Sequence, residues 1–367
     1  MPRRNYELRL LAGPNREGTF PPGLNTNAPA TDIRSDESPD CYGLDIGAEG
    51  RIKTGTIPTG TARVARTVTL GTVDGEAVAS VPFLWHYNRL WNITKRTAAT
   101  ASNILKVGAK NYDAKYFQQG PDIAFVEDAQ TILALVPFGE DSMAVMKTTG
   151  SHVMGNLNDT RGTHLFQRTP LIQELALPAL ADVAELDGVL YVCNAAGLFS
   201  YYQGKTKELT AKVGNDLTNF ASVALTANMS SKYIIGTAKF AYDVTTEKLF
   251  RWSSTSFRYT TPQWHLPDYA PVCVDAVVFD VEHGDTSSGS LTYQVKYDDG
   301  DWSDSYDVDL DEELSGRTTA VTETLELAQQ SRRFQLRLTA LSSNKYIKSI
   351  RVESSDARFD SYAEQAI

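Results

Sequence analysis

Apolar residues along this chain fall in short runs separated by turn-forming clusters, and they follow strand spacing rather than helical spacing. In ELDGVLYVCNAAGLFSYYQGKTKEL (185–209), Asp187-Gly188 is a dipeptide favoured in two-residue hairpin turns, because glycine tolerates the positive φ such turns need. Val189, Leu190, Tyr191 and Val192 form a β-favouring run that stops at Asn194-Ala195-Ala196-Gly197. Leu198, Phe199, Tyr201 and Tyr202 make a second run ending at Gln203-Gly204. The pattern predicts two antiparallel strands joined by tight turns. A lone ribbon of this kind is marginally stable, so similar material elsewhere must cover it.

That material recurs. TILALVPFGEDSMAVMKTTGSHVMGN (131–156) reads as three short runs with a Gly-Glu-Asp turn and a second glycine turn. VPFLWHYNRLWNIT (81–94) places Phe83 and Leu84 before a turn at Tyr87-Asn88-Arg89, and Leu90, Trp91 and Ile93 after it. SSKYIIGTAKFAYDVTTEKLFRW (230–252) gives three more runs. The units begin roughly 40 to 50 residues apart, the spacing of propeller blades. Helical periodicity is scarce; the longest candidate, Leu171 to Leu186, is interrupted by Pro178.

Towards the C-terminus the pattern changes to alternation. Phe334-Gln335-Leu336-Arg337-Leu338 and Ile347-Lys348-Ser349-Ile350-Arg351-Val352 put apolar side chains on one face and polar ones on the other, as a half-solvated antiparallel sheet requires. Four or five such runs predict a small sandwich. Residues 262–271 carry three prolines and form a plausible junction. The first sixty residues, rich in Pro, Gly, Asn and Thr, read as an arm that wraps a neighbour or supplies a strand to it. The expected fold is all-β in three segments: an extended arm over 1–65, a β-propeller-like repeat of antiparallel hairpins over 66–260, and a β-sandwich-like module over 261–367.

Composition narrows the function. With 42% apolar residues in 367, a real core is within reach. A net charge of −10 argues against a protein whose task is to grip nucleic acid, since that affinity comes from Lys and Arg displacing counterions; a surface along which DNA slides is compatible with it. Met1 to Asn15 has no uninterrupted apolar run, and no stretch is long enough to span a bilayer as a helix, so synthesis in a cytoplasm is expected. Cys41, Cys193 and Cys273 lie far apart without a CxxC, which favours buried free thiols over a disulfide framework or a zinc site.

Catalytic motifs are missing: there is no GxxxxGK[ST] loop, GxSxG elbow, HExxH or GxGxxG. His152 and His164 are twelve apart, while His86, His265 and His283 are isolated; half-buried, hydrogen-bonded roles suit them better than ligation. Asp307, Asp309 and Asp311 share a face if extended, yet the glycine and the distal acid of a calcium loop are lacking, and a charged sheet edge is the favoured reading. Tyr297-Asp298-Asp299-Gly300-Asp301-Trp302 is similar to Asp-Gly-Trp turns of glycosidase propellers, but occurs once and is also an ordinary hairpin turn. Seventeen tyrosines and five tryptophans could line a sugar or receptor site, but most fall at strand positions beside turns, where cross-strand packing and interfaces are the favoured reading. No catalytic, cofactor-binding or metal-binding residue is nominated, and no cofactor is expected.

The order of segments carries a resemblance. Residues 20–62 open with a Gly-Leu-Asn phrase, continue through Cys41-Tyr42-Gly43-Leu44-Asp45 and reach a Gly-Arg-Ile-Lys-x-Gly phrase at Gly50 to Gly55. The hairpin repeats follow, then PQWHLPDYAPVCVDAVVFDVE (262–282), LTYQVKYDDGDW (291–302), RRFQLRLTA (332–340) and YIKSIRVESS (346–355). In pattern and order this resembles β-propeller-type tail structural proteins of tailed bacteriophages. The resemblance implies a non-enzymatic virion component of nozzle, hub or adaptor type, in a homo-oligomeric ring with other tail proteins around a channel through which DNA passes without specific binding. It brings no catalytic residues. Nozzle proteins are often much longer, which leaves the position in the particle open. Two other readings remain: a receptor- or carbohydrate-binding module at the tail tip, and a propeller glycoside hydrolase.

Overall fold

The computed structural model describes residues 4–9, 23–28, 32, 34, 37–45, 51–55, 58, 60, 67–68, 72–73, 76–77, 81–86, 89–93, 104–107, 122–124, 132–138, 141–147, 151–157, 166–171, 182–213, 223–237, 239–252, 256–266, 272–311, 315–325 and 330–356. Among them every regular element is a β-strand. The end of the one helical candidate, Val183–Leu186, is a strand in register with Val189–Asn194. Pairing overrides a weak helical preference there, because all four residues have cross-strand partners.

Two compact units are present. One comprises 59–210 and 217–237; the other comprises 1–58, 211–216 and 238–367. This differs from the three consecutive segments expected from the sequence: the described pieces of the arm share a unit with the C-terminal strands.

The middle unit is built of antiparallel meanders. The first joins Val81–His86, Arg89–Ile93, Ile104–Val107 and Asp122–Ala124 in sequence order, with Thr67–Val68 at one edge. The second runs through Ile132–Phe138, Ser142–Lys147, His152–Gly155 and Gln167–Pro170. The third runs through Val183–Leu186, Val189–Asn194, Gly197–Tyr202 and Lys205–Glu208. A further hairpin pairs Leu225–Asn228 with Tyr233–Gly236.

The second meander is apolar on both faces. Ala134, Val136, Ala144 and Met146 pack with Val183, Leu190, Val192, Phe199 and Tyr201 of the third meander. Ile132, Leu135, Met143, Val145 and Met154 pack on the opposite side with Trp91 of the first, whose indole lies 5.5 Å from the Phe166 ring. Ile132 and Leu135 are three apart, which strict alternation would send to opposite faces. A register shift between Ile132 and Ala134 inserts Leu133 as a bulge and restores both to one face. Two-sided burial explains why ILALV reads as an unbroken apolar run.

The other unit is a two-sheet sandwich. In one sheet, Val272–His283 lies between Lys345–Asp356 and Thr318–Thr324, and Arg4–Arg9 adds to the outer side of Lys345–Asp356 with Arg4 opposite Ser354. Within this unit the facing sheet runs from Phe240–Asp243 through Lys248–Arg251, Cys41–Tyr42, Arg258–Thr260, Arg333–Leu341 and Ser290–Tyr297 to Tyr306–Asp309. Its inner residues Tyr259, Leu336, Leu338, Tyr293 and Val295 are buried, and Phe279 of the first sheet meets Tyr293 edge-on at 5.3 Å. Ile347 and Ile350 share the core because Lys348 is bulged out of register with Asp280 and Val281.

Two expectations change here. The arm contributes strands to its own chain: Cys41–Tyr42 fills a gap in the second sheet, and fully buried Ile52 exchanges backbone hydrogen bonds with Ile347 at 2.8 and 3.0 Å. In the Phe334 to Leu338 strand the apolar positions are buried and Arg337 is half-exposed, but Gln335 is buried as well and donates to the Thr261 carbonyl at 2.7 Å. The short strands Arg258–Thr260 and Trp264–His265 pair along the edge of this strand.

Candidate functional site

A groove of about 520 Å³ lies between the second and third meanders, lined by Asp141, Ser142, Val153, Gly155, Gln167, Thr169, Gly188, Tyr201, Tyr202 and Gln203. Its geometry follows from strand register. Ser142 pairs with Gly155 and Gly155 with Gln167, so these three form one row across adjacent strands; Val153 and Thr169 form the next row. The outermost strand, Gln167–Pro170, is exposed at all four positions. Gly155 keeps the row shallow: an added Cβ would meet only Ser142 Oγ at 3.9 Å.

The third meander supplies the aromatic wall. Asp187 (φ 53°) and Gly188 (φ 79°), then Gln203 (φ 47°) and Gly204 (φ 82°), are successive left-handed pairs of the kind that turn a chain back in two residues. These turns fix where Tyr201 and Tyr202 lie. Tyr201 points into the buried cluster at 8% exposure, whereas Tyr202 is 49% exposed. Gln203 Nε2 donates to the Tyr202 hydroxyl at 3.0 Å, which orients the phenol.

Among the described residues the lining is chiefly amide, hydroxyl and phenol, with one carboxylate and no cation. Such a surface suits a neutral, hydroxyl-rich ligand better than a phosphate, which calls for Arg, Lys or a helix N-terminus.

The groups weighed in the sequence are mostly spoken for. Cys41, Cys193 and Cys273 are buried thiols, as expected; burial pushes the Cys41 thiol up to about 12. His152 is buried on its strand, His283 is buried and bonds Thr319 Oγ1 through Nε2 at 2.7 Å, and His164 lies outside the described residues. Tyr297 to Trp302 is a hairpin turn in which Asp298 (φ 48°) accepts from the Arg332 and Arg333 amides at 3.0 and 2.9 Å. Tyr306–Asp309 is an edge strand with Asp307 and Asp309 outward and Val308 buried. No cluster of three or more potential metal ligands occurs among the described residues, and none of their helices is long and apolar enough to cross a membrane.

The groove was not legible beforehand. Tyr201, Tyr202 and the Asp187-Gly188 turn stood out, but Gln167 and Thr169 sit on a polar strand with no apolar signal, and only register brings them opposite Ser142 and Val153.

No protein-family model matches the chain, and no curated protein matches it. Solved structures give distant matches. An exo-β-1,3-galactanase from Phanerochaete chrysosporium, crystallised with β-1,3-galactotriose, aligns at 11% identity and a TM-score of 0.24 over 72% of this chain and 78% of its own. A Cry1Da tryptic core variant from Bacillus thuringiensis aligns at 12% identity and a TM-score of 0.22 over 62% of this chain and 52% of its own. Similarity at this level carries no inference about fold or activity.

Proposed function

We propose that this chain is a non-enzymatic structural protein of a tailed-phage virion, with propeller-like blades in its middle unit and a place in a homo-oligomeric nozzle, hub or adaptor ring through which DNA passes. The observation that carries the reading is the packing of successive antiparallel meanders with core on both faces of the central one. Repetition of one rigid supersecondary unit builds a wall. The order of sequence phrases resembling phage tail proteins supports the same reading. Several described carboxylates hold the fold: Asp298 pins residues 332 and 333, Asp280 accepts from Arg351 Nη2 on the neighbouring strand at 3.0 Å, and Asp243 accepts from the Thr245 amide in a turn at 2.8 Å. Mass photometry of the purified chain, with electron microscopy of particles made with and without it, tests the proposal. Closed rings and tailless or leaky particles on deletion are expected; a strict monomer that is dispensable for assembly refutes it.

A second reading, a carbohydrate-binding tail-tip module, is favoured by the groove with its exposed Tyr202 and amide lining. Gly155→Trp fills that groove. If glycan binding is found and is abolished by this change while ring formation is absent, the second reading replaces the first.

A further inference from the structure

The outward face of the sandwich sheet ending at Tyr306–Asp309 carries cations and aromatic rings in one row. Cross-strand pairs fix the order: Arg251 lies opposite Tyr42, Tyr42 opposite Arg258, and Arg337 opposite Gln294, two residues from Lys296. Tyr259 and Leu338, their neighbours in the chain, face the core. The Tyr42 ring has the guanidinium of Arg251 at 5.7 Å and that of Arg258 at 5.3 Å. The Trp302 ring has Arg337 at 3.9 Å and Lys296 at 5.9 Å. Five adjacent strands at about 4.8 Å spacing make this row about 19 Å long.

Few acids answer it. Asp40 binds Arg258 at 3.0 Å. Among the described residues Arg251, Arg337 and Lys296 have no carboxylate within ion-pair distance, and the buried Arg337 Nε has no hydrogen-bond partner. The three arginines are half-exposed beside the rings, and a half-exposed guanidinium can meet a carboxylate in bidentate fashion.

The complementary chemistry is on the same face, one strand further on. Asp307 is paired with Thr292 and so faces outward with Gln294 and Lys296, and Asp309 follows on the same side. Asp311 is exposed beyond the strand end. Extended carboxylates at alternate positions are about 6.7 Å apart, so these three span about 13 Å and fit within the cation row of about 19 Å. Within one copy they cannot fold back onto the row, because their strand is hydrogen-bonded into the same sheet.

We infer that the Arg251–Tyr42–Arg258–Arg337–Lys296 row is the docking surface for the acidic edge, Asp307 to Asp311, of a second copy of this chain. The inference rests on the ring reading and names the surfaces that would make it. The contact is head-to-tail: a copy that offers its acidic edge keeps its own cationic row for the next, so association closes a ring or propagates. Both copies carry net charge −10. At physiological salt the screening length is about 8 Å and the contact responds to local pairs, whereas near 0.01 M it reaches about 30 Å and the like net charges oppose approach. Assembly is therefore strongest at intermediate ionic strength, unlike a contact between oppositely charged partners.

The test uses the full chain and sedimentation velocity across a salt series. Arg251→Glu with Arg337→Glu reverses the row; Asp307→Lys with Asp309→Lys reverses the edge. Each pair alone should weaken self-association roughly tenfold or more, since like charges meet, and an equimolar mixture of the two variants should associate again. If a reversal variant fails to fold by circular dichroism, Arg337→Gln and Asp309→Asn replace it with a smaller loss expected. Rings that persist unchanged in both variants overturn this inference and leave the ring reading standing. A wild-type chain that stays monomeric at every salt overturns both. Monomers whose cationic row captures dextran sulfate or single-stranded DNA, with loss in the row variant only, overturn it in favour of an external polyanion.

Discussion

Deleting residues 1–55 should unfold the sandwich unit and leave the middle unit folded. The deletion removes Arg4–Arg9 from the edge of Lys345–Asp356 and takes Cys41–Tyr42 out of the slot between Lys248–Arg251 and Arg258–Thr260. It also removes Leu24, Leu44 and Ile52, all at or below 5% exposure. Burying one such side chain contributes about 1.5–3 kcal/mol, so the three together contribute about 5–9 kcal/mol. Net domain stability is itself about 5–15 kcal/mol. Backbone groups of residues 251 and 258 to 259 would lose their ladder partners as well, which adds to the loss. Hydrogen exchange read by mass spectrometry separates the units: Val272–His283 and Lys345–Asp356 should lose protection, while Ser142–Lys147 keeps it. Full protection in all three strands would show that the N-terminal pieces are accessory and refute the reasoning. Ile52→Ala is the graded version, with a loss of about 2–5 kcal/mol in the unfolding of the same unit.

Three further outcomes are expected. Gly188→Val places a β-branched residue at φ 79° and should destabilise the third meander by about 1–2 kcal/mol, read by urea unfolding; no change would mean that the turn relaxes at no cost. Asp285, bonded by the Ser287 hydroxyl first, then by Asn344 and the Ser287 amide, titrates at about 2 instead of 3.8; a depressed folded value gives stability that is present above 3.8 and lost as pH falls toward 2, so the gap in Tm between wild type and Asp285→Ala should shrink from about pH 5 to about pH 2, and a constant gap refutes the linkage. Cys41, Cys193 and Cys273 should be inert to a thiol reagent in the folded chain and react together in denaturant, because all are buried; rapid reaction of any one under native conditions contradicts its placement.

Local chemistry was legible where turns and apolar runs coincide. The Asp187-Gly188 turn, the runs on either side of Ala195-Ala196 and the three strands over 131–156 stand where the pattern puts them. Outer strands were not. Lys205–Glu208 and Gln167–Pro170 are almost wholly exposed and polar, so they give no apolar signal and exist only because an inner neighbour offers a ladder. Bulges at Leu133 and Lys348 broke the two-residue period that identifies a buried face. The arm misled for a third reason: its segments are too short to carry a core of their own, and their partners lie two hundred residues or more away, as with Arg258 bonding Asp40. Sequence periodicity reports neighbours along the chain, not partners across it.

The pairing of Arg4 with Ser354 has a consequence for biosynthesis. The middle unit lies wholly between segments of the sandwich unit in sequence, so it can complete its meanders while later residues are still inside the ribosome. The sandwich cannot. Arg4–Arg9 emerges first and must wait, unpaired, until Lys345–Asp356 has been made, and Cys41–Tyr42 until Lys248–Arg251 and Arg258–Thr260 have; closing such long loops is entropically slow. During that interval the apolar residues around Ile52 are open to wrong partners, including the same segment of a neighbouring nascent chain. Yield in a heterologous host should therefore respond more to translation rate and chaperone supply than to the stability of the finished fold.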